Sequence, residues 1–556
     1  MADSPFGLRA PSLPAVFSFR AWSVGLLAAA IFYIVGHWIK QTPLWKIRGP
    51  PSVSFITGNY SQMFHVGAAD FHKYITKTYG RVIRINGFFW DSQLVVSDPK
   101  ACTTILLKEQ DVFEEAHWFL EGHRHALGVG LLATLGAHHR RQRKLLNPVF
   151  SIKHMRSLTP LFHGITHHLC DVLQTKVAGG PAEINMVEWL NRLALELIAQ
   201  GGLGYTFNSL DPDVEENEFG KAVKEFTPTL SSLIVFRRAF PLVSRWPKRL
   251  RRFGAKLLPL PMVHNMIRVT DILKKCTKEI YEEKKALLER GDDVFKQQLS
   301  EGKDIISVLM KANIDAPAED RLPDEEILGQ MTTLLFAASD TTSSALSRIL
   351  QLLSQHPVIQ ENLREELNEA CSRSGKTDLD YNELVSLPYL DAVCRETLRV
   401  FPPVAFAYRV TRADTSLPLS QPIQTATGAQ SSVFVPCGTA VAVNIIGLNR
   451  DPHIWGADAA EWRPARWLGA LPATVAEARI PGVYANTLTF IGGGRACIGF
   501  KFSQLEMKVV LSHLVRAFRF SPSKTEIVWK FGGIASPSVK GSTDVRPQLP
   551  MVVERV

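Results

Sequence analysis

The sequence is poor in cysteine, and its cysteines stand singly. There are seven in 556 residues, without a CxxC pair or a regular spacing. Disulfide frameworks and zinc knuckles need paired or regularly spaced cysteines, so the pattern argues against both. We therefore expect free thiols in a reducing compartment. The cysteines are Cys102, Cys170, Cys276, Cys371, Cys394, Cys437 and Cys497.

Low-complexity segments and internal repeats are also lacking, which argues against a disordered, fibrous or solenoid protein. Hydrophobic residues make up 46% of the chain and charged residues 21%, a composition typical of a folded globular protein. A chain of this length can bury a large core, in several domains or in one.

Charged side chains are absent from residues 21–38, AWSVGLLAAAIFYIVGHW. The segment approaches the ~20 residues that a helix needs to cross a bilayer, so it is a membrane span or the apolar part of a signal peptide. Its length, its aromatic end and the lack of a small-residue cleavage site favour the span. We predict a membrane anchor over residues 1–41 and a proline-rich hinge over residues 42–53. A slight excess of basic residues after the span predicts a cytosolic location for the rest of the chain.

Acidic residues are absent from residues 235–261, which hold eight of the basic residues behind the net charge of +10. Phe236, Phe240, Trp246 and Phe253 are interleaved with these charges, a pattern typical of a surface that rests on anionic lipid. A solvated basic face would give the same pattern. We expect no nucleic acid as a partner, because an anchored protein meets little of it.

Helical periodicity dominates from about residue 100 onward. A long helix starts at Asp324, which the sequence predicts as its N-cap, and ends before Pro357. A second helix runs from Pro357 to just before Gly375. A third runs from Pro388 to Phe401.

β-Structure is predicted in three places. Residues 80–97 alternate apolar and polar side chains around Asn86-Gly87, as in a β-hairpin with its turn at this pair. Residues 415–445 and 519–555 combine glycine, proline and alternating apolar residues, which predicts short strands. The fold class is therefore mainly α with a minor, segregated β part.

One cysteine has unusual neighbours, in the stretch FIGGGRACIG at residues 490–499. A single buried cysteine is usually inert. Here glycines at 492–494 and 499 let backbone N–H groups approach Cys497 and stabilise a thiolate. Arg495 adds a cation that can hold a carboxylate. An iron porphyrin with propionates requires such a thiolate and cation, so we predict a haem bound through Cys497.

At this stretch the sequence resembles the cytochrome P450 family of haem-thiolate monooxygenases. The matching residues are Phe490, Gly493, Arg495, Cys497 and Gly499. The resemblance implies that they bind haem, with Cys497 as the ligand of the iron. It also implies the P450 fold, as a single large monooxygenase domain over residues 54–556. Ile491 departs from the small or polar residue that is usual there, but the ligand and the glycines are present.

The resemblance extends to two separated charged motifs. Glu396 and Arg399 lie three residues apart, on one face of a helix, and can pair while leaving room for a second arginine. Taken alone they would be an ordinary surface pair. With Arg466 in WRPARW, the resemblance implies that the three form a Glu-Arg-Arg structural lock. Ala465 departs from the acid that the family usually has before this arginine.

A further motif, AASDTT, covers residues 337–342 in the long helix. Asp and Thr side chains compete for backbone hydrogen bonds, so their position in mid-helix implies a distortion or a use. By resemblance, Asp340 and Thr341 are catalytic and guide protons during oxygen activation. Ala338 replaces a glycine that is usual in the family. The alternative is a solvated helix face, against which the apolar residues just before the motif argue.

Additional cationic residues are expected at the haem propionates. His139 and Arg143 lie four residues apart on one helical face, where the family has a tryptophan and an arginine. Because His139 replaces the tryptophan, we expect Arg143 to make most of this contact. Arg409, after FPPVAFAY, is the other propionate partner that the resemblance implies.

The resemblance also implies a reaction. One oxygen atom from O2 enters an apolar small molecule by hydroxylation or further oxidation. NADPH-cytochrome P450 reductase supplies the electrons at the endoplasmic reticulum membrane. Similarity to fungal members suggests a terpenoid or other secondary metabolite. Two alternatives stay open, a haem-thiolate isomerase or dehydratase that works without reductase and a haem-binding sensor, although neither would need Asp340 and Thr341.

Substrate specificity has no shared motif, so it is expected to depend on the pocket walls. The segments expected to form them are rich in aromatic and aliphatic residues. They are residues 113–132, 205–240 and 404–407 and the surroundings of Phe531.

Overall fold

Helices make up most of the chain. A computed structural model describes residues 35–36, 38–65, 67–212, 217–236, 243–289, 304–531, 533–544 and 546–556. In this part of the chain, thirteen α-helices have ten or more residues. They are α1 Ala69–Tyr79, α2 His117–Leu127, α3 Gly136–Leu146, α4 Ile152–Lys176, α5 Met186–Ile198, α6 Glu218–Ser232, α7 Lys248–Leu257, α8 Pro261–Glu289, α9 Ile305–Asp315, α10 Asp324–Gln355, α11 Pro357–Ser374, α12 Pro388–Val400 and α13 Phe500–Ala517.

The described residues also form twelve strands in four small sheets. They are β1 Val82–Asn86, β2 Ser92–Val96, β3 Phe113–Glu114, β4 Ala182–Asn185, β5 Phe406–Thr411, β6 Thr415–Thr425, β7 Gly428–Val435, β8 Ala440–Asn444, β9 Phe518–Pro522, β10 Ile527–Phe531, β11 Ala535–Val539 and β12 Pro550–Arg555. One sheet has the order β1-β2-β8-β5-β3, in which only β2 and β8 are parallel. A second has the order β4-β12-β9, and β6-β7 and β10-β11 are separate hairpins. The predicted class, mainly α with a minor β part, is confirmed.

The long central helix is confirmed as α10, but its predicted cap is wrong. The N-cap position is Pro323, and Asp324 is the first helical residue. The Asp324 carboxylate instead accepts a hydrogen bond from Lys285 Nζ at 2.8 Å. A negative charge in the first turn still stabilises the helix, because it faces the positive end of the helix dipole.

The hairpin predicted at residues 80–97 is confirmed as β1 and β2, with a different turn. Asn86 stays in the strand and pairs with Ser92, because its N–H and C=O both bond to Asn59. The connection is therefore a five-residue loop rather than a turn at Asn86-Gly87. Phe89 and Trp90 in this loop have φ angles of 54° and 58°.

Helix α10 organises the main core. It packs against α5, α8, α12 and α13, and its leucines at 335, 346 and 350 are fully buried. Burying one such side chain stabilises a fold by about 1.5–3 kcal/mol. A second apolar cluster, around the fully buried Trp455, lies with strands β2, β7 and β8.

The predicted membrane span, residues 21–38, lies almost wholly outside the described residues. Among the helices that the structure describes, none is long and apolar enough to cross a bilayer. The last residue of the span and the chain just after it are attached to the domain. Trp38 Nε1 donates to Phe89 O at 2.9 Å, and Gln41 Nε2 donates to Asp91 Oδ1 at 3.0 Å. Within the predicted hinge, Leu44 is fully buried.

Candidate active site

Cys497 lies in a tight loop between a short 3-10 turn, Gly493–Arg495, and α13. Its N–H donates to Phe490 O at 2.9 Å, which closes the loop. Gly493 has a φ angle of 77°, and a Cβ on it would lie 2.0 Å from Leu106 O. This glycine is therefore needed to bring the loop against the neighbouring backbone.

Three effects act on the Cys497 thiol. Burial raises its pKa, while the Gly499 N–H and the charge of Arg143 oppose the shift. The glycine-rich stretch thus favours the thiolate, as the sequence predicts, but burial outweighs it. Because a bound metal deprotonates a coordinating thiol, the thiolate belongs to the metal-bound site.

Two of the predicted cations share one carboxylate. Arg495 Nε lies 2.7 Å from Glu115 Oε1, and Arg409 Nη2 lies 3.4 Å from the same oxygen. Burial lowers the pKa of Arg409, and Glu115 opposes this effect. Glu115 was not predicted, because nothing in the sequence near it indicates a contact with arginines so distant in the chain.

Arg143 and His139 occupy α3 beside the same loop. Arg143 Nη1 donates to Gly494 O at 3.1 Å and to Ala496 O at 2.6 Å. His139 is buried. Burial, followed by the charges of Arg495 and Arg143, lowers the pKa of His139 to about 3. His139 is therefore neutral at pH 7 and is not a cationic partner.

The charges at this site fit a haem. Arg143, Arg409 and Arg495 carry three positive charges and Glu115 carries one negative charge, which leaves two positive charges for two propionates. Cys497 lies deep in the protein yet keeps accessible surface, and its sulfur is of the soft type that haem iron accepts. These residues would hold the haem.

The predicted catalytic pair lies in the middle of α10. Ala337, Ala338, Asp340 and Thr341 keep partial exposure within an otherwise largely buried helix. Thr341 Oγ1 donates to Ala337 O at 2.7 Å. Accessible surface is thus present on α10 at the residues that the sequence predicts for oxygen activation.

Asp340 has its own partners on α6. Burial raises its pKa to about 6, while the charge of Lys224 and the hydroxyl of Thr227 oppose the shift. Asp340 therefore exchanges a proton close to neutral pH. Its side chain and that of Thr341 share a helical turn but have different polar neighbours.

A buried acid that the sequence analysis missed lies close to this pair. Glu506 on α13 is fully buried, and neither carboxyl oxygen has a hydrogen-bond partner of good geometry in the described part of the chain. Burial raises its pKa well above the ordinary value, and Thr342 on α10 opposes the shift. The only sequence signal is an acid within the apolar run QLEMKVVL.

The structure brings Glu396, Arg399 and Arg466 together in the core. Arg399 donates two hydrogen bonds of 2.8 Å to the Glu396 carboxylate, and Arg466 Nε lies 3.3 Å from Glu396 Oε1. Burial alone would raise the pKa of Glu396, but its contacts with Arg399 hold it below the ordinary value. Asp458, 3.0 Å from Arg466 Nη2, balances the second arginine, in place of the acid missing at position 465.

This lock is connected to the Cys497 loop through Asn449. Arg399 Nη1 donates to Asn449 O at 2.8 Å. The Asn449 side chain accepts from Leu488 N at 2.8 Å and donates to Thr489 Oγ1 at 2.9 Å. Because Phe490 follows directly, the lock positions the start of the cysteine stretch.

Aromatic side chains line the segments predicted as pocket walls. The ring centroids of His123 on α2 and Phe226 on α6 are 6.2 Å apart, and those of Phe226 and Phe336 on α10 are 4.7 Å apart. Burial lowers the pKa of His123 to about 4, so its ring is neutral at pH 7. Phe406 and Phe531 form a second aromatic group with His72, at ring-centroid distances of 4.8 Å and 6.1 Å from it.

Comparison with known proteins agrees with this geometry. Residues 48–543 match the family model for cytochrome P450. The chain is 46% identical to cytochrome P450 monooxygenase 91 of Postia placenta, over 93% of this chain and 95% of the relative. It is 40% identical to ganoderic acid synthetase of Ganoderma lucidum, over 95% of this chain and 97% of the relative.

Proposed function

This chain belongs to the cytochrome P450 family and is a monooxygenase, and we propose that it oxidises an apolar secondary metabolite of the terpenoid type. The family uses a haem-thiolate cofactor, which supplies the activation of O2 when bound, with NADPH electrons delivered through a reductase. The aromatic walls formed by α2, α6 and α10 support an apolar substrate. A relative named for the synthesis of ganoderic acid supports a metabolite of this kind.

The protein side chains have separate tasks in this reaction. Cys497 holds the iron, and Arg143, Arg409 and Arg495 neutralise the propionates. The apolar walls orient the substrate and exclude water. The Thr341 hydroxyl holds a proton at the accessible surface of α10, and Asp340, with a pKa of about 6, exchanges protons near neutral pH.

The observation that carries the proposal is the combination of a thiol loop, a surplus of two positive charges and a partly exposed acid and alcohol on a buried helix. A sensor or an isomerase would need the first two but not the third. NADPH-cytochrome P450 reductase is the proposed electron donor.

The proposed location is the endoplasmic reticulum membrane, with residues 21–38 as a single anchor and the catalytic domain in the cytosol. Helix α7 gives this domain a second lipid contact. Its side chains Leu250, Phe253 and Leu257 are 51%, 62% and 67% exposed and lie on one face, among basic residues.

Product analysis tests the function directly. Membranes of a host that expresses this chain with the reductase are incubated with NADPH and a panel of apolar terpenoids, and products are identified by mass spectrometry. We expect the gain of one oxygen atom in membranes with wild-type protein, and none with Cys497→Ser. Turnover that persists without NADPH or reductase would contradict the proposal and indicate the isomerase.

A further inference from the structure

Three histidines and an aspartate meet at a place that the proposed reaction does not use. His163 and His167 lie one turn apart on α4, and His513 lies on α13. Asp378 lies in the connection between α11 and the short helix Tyr381–Ser386. Three separate parts of the chain therefore supply donor atoms to one small volume.

Three of the donor atoms lie close together. His163 Nδ1 is 2.6 Å from His513 Nε2, and His513 Nε2 is 3.9 Å from Asp378 Oδ1. All three atoms lie within 4.8 Å of one another. A tetrahedral ion with bonds of about 2.0–2.1 Å separates its ligands by about 3.3 Å, so the two imidazole nitrogens would move apart by about 0.7 Å to hold one.

An outer hydrogen bond prepares the His163 ring for coordination. Its Nε2 lies 2.8 Å from Leu379 O, and only the N–H form of Nε2 can donate to this carbonyl. The Nδ1 lone pair therefore points into the cluster. Metal-bound histidines commonly donate their second nitrogen to a carbonyl in this way.

A hydrogen-bonded network without a metal gives His513 the partner His163 and Asp378 the partner His167, but it leaves His513 and Asp378 unconnected. His513 Nε2–H can donate to His163 Nδ1, but the 3.9 Å from His513 to Asp378 is too long for a hydrogen bond. An ion between the three groups would engage all of them. Asp378 is 42% exposed, so an ion can enter from solvent.

We propose that His163, His513 and Asp378 bind one Zn²⁺ ion, with His167 as an outer partner of the Asp378 carboxylate. His167 Nε2 lies 2.8 Å from Asp378 Oδ1. Zinc suits a set of imidazole and carboxylate ligands, and water takes the fourth position at the solvent side. The ion ties α4 to α13, the helix that follows the Cys497 loop, and it stabilises the fold without joining the oxidation.

Zinc binding to the haem-loaded full chain tests this site. Tag-free protein is washed with a chelator and titrated with Zn²⁺, and the zinc-to-haem ratio and the thermal midpoint are measured. We expect one zinc per haem and a higher midpoint. Asp378→Asn and His513→Gln should each weaken zinc binding at least about tenfold. His168→Gln, an exposed neighbour on α4, is the matched control and should bind zinc like the wild type.

X-ray absorption at the zinc edge separates this site from others. We expect nitrogen and oxygen ligands at about 2.0–2.1 Å with imidazole scattering. Haem content verifies that each variant is folded, and the partly exposed Asp378 makes its Asn variant the milder change. Equal zinc occupancy in the wild type and both ligand variants, a sulfur ligand shell, or no retention at micromolar free zinc would each overturn the proposal.

Discussion

Thr341 and Ser339 make the same kind of hydrogen bond on α10 but differ in exposure. Thr341 Oγ1 donates to Ala337 O and Ser339 Oγ to Leu335 O, both at 2.7 Å, yet only Thr341 keeps partial exposure. In Thr341→Ala, we expect substrate binding and NADPH oxidation to continue. Product per NADPH should fall at least about tenfold, with more hydrogen peroxide, because a positioned proton donor contributes about 10²–10⁴ in rate.

Ser339→Ala is the matched control for this experiment. It removes an equivalent hydroxyl from a buried position two residues away, so it should leave the ratio of product to NADPH unchanged. Both variants are assayed with reductase at saturating substrate, with peroxide quantified. Equal ratios in Thr341→Ala and the wild type would remove Thr341 from proton delivery.

Glu506 links stability to pH, because burial raises its pKa in the folded state. In the unfolded chain the Glu506 carboxyl has an ordinary pKa of about 4.3, so it loses its proton at a lower pH than in the folded protein. The stabilising contribution is therefore complete below that pH and is lost as pH rises towards the folded value. Glu506→Gln keeps the shape without a proton to lose. Its free energy of unfolding should exceed that of the wild type by an amount that grows from pH 5 to 7 by up to ~1.4 kcal/mol per pH unit, and its thermal midpoint should rise accordingly.

A surface substitution provides the comparison for Glu506. Glu369→Gln changes an exposed side chain on α11 and should shift the midpoint by the same small amount at every pH. A difference between wild type and Glu506→Gln that stays constant with pH would show that the folded protein does not hold the proton at Glu506.

At the scale of elements, the lock joins α12 to the segment around Arg466 and, through Asn449, to the Cys497 loop. Glu396→Ala would leave Arg399 and Arg466 buried without the anion between them. Removing one partner from a buried ionic network lowers the free energy of unfolding by ~3–5 kcal/mol. We expect low haem retention and a lower thermal midpoint, measured by the haem-to-protein ratio and by calorimetry.

Glu361→Ala is the control for the lock. Glu361 also pairs with an arginine three residues away, Arg364, but it is 46% exposed. Arg364 is buried but keeps hydrogen bonds to Gln360, Val515 and Phe518 when Glu361 is removed, so haem content should stay normal. If Glu396→Ala also kept normal haem content and stability, Glu396 would be an ordinary ion pair.

Elements with local signals were predictable from the sequence. Pro357 and Pro388 begin α11 and α12, because proline suits the first position of a helix and ends the preceding one. The spacing of Glu396 and Arg399 places them on one helical face for the same local reason. By contrast, the turn after Asn86 could not be predicted, since its geometry depends on contacts with Asn59 far along the chain.

Other contacts in the site could not be predicted from the sequence, because they join elements that are distant in the chain. Glu115 meets Arg409 and Arg495 only because β3 pairs with β5 and the Cys497 loop lies beside them. Asp458 contacts Arg466 although it is not at the position where the family has its acid. Burial also sets the pKa directions of Cys497 and Glu506, and burial becomes known only with the packed structure.

At the scale of the whole molecule, two surfaces are proposed to meet the membrane, and they can be separated. Deleting residues 1–37 removes all but the last residue of the predicted span and keeps Trp38 and Gln41, which bond to the β1-β2 loop. The truncated protein should therefore fold and bind haem. Its binding to vesicles of anionic lipid, measured by sedimentation, then reports on helix α7 alone.

We expect the truncated protein to bind these vesicles partially at low salt through its basic charges and the apolar face of α7. Replacing Leu250, Phe253 and Leu257 together with serine should abolish binding, because apolar burial and charge act jointly at an interface. Val358→Ser, which changes a side chain with 71% exposure on α11, should leave binding unchanged.

Raising the salt to 1 M shortens the screening length from about 10 Å at 0.1 M to about 3 Å, so binding should weaken. A truncated protein that stays entirely in the supernatant at low salt would rule out the contact through α7 and leave the anchor at residues 21–38 as the proposed attachment.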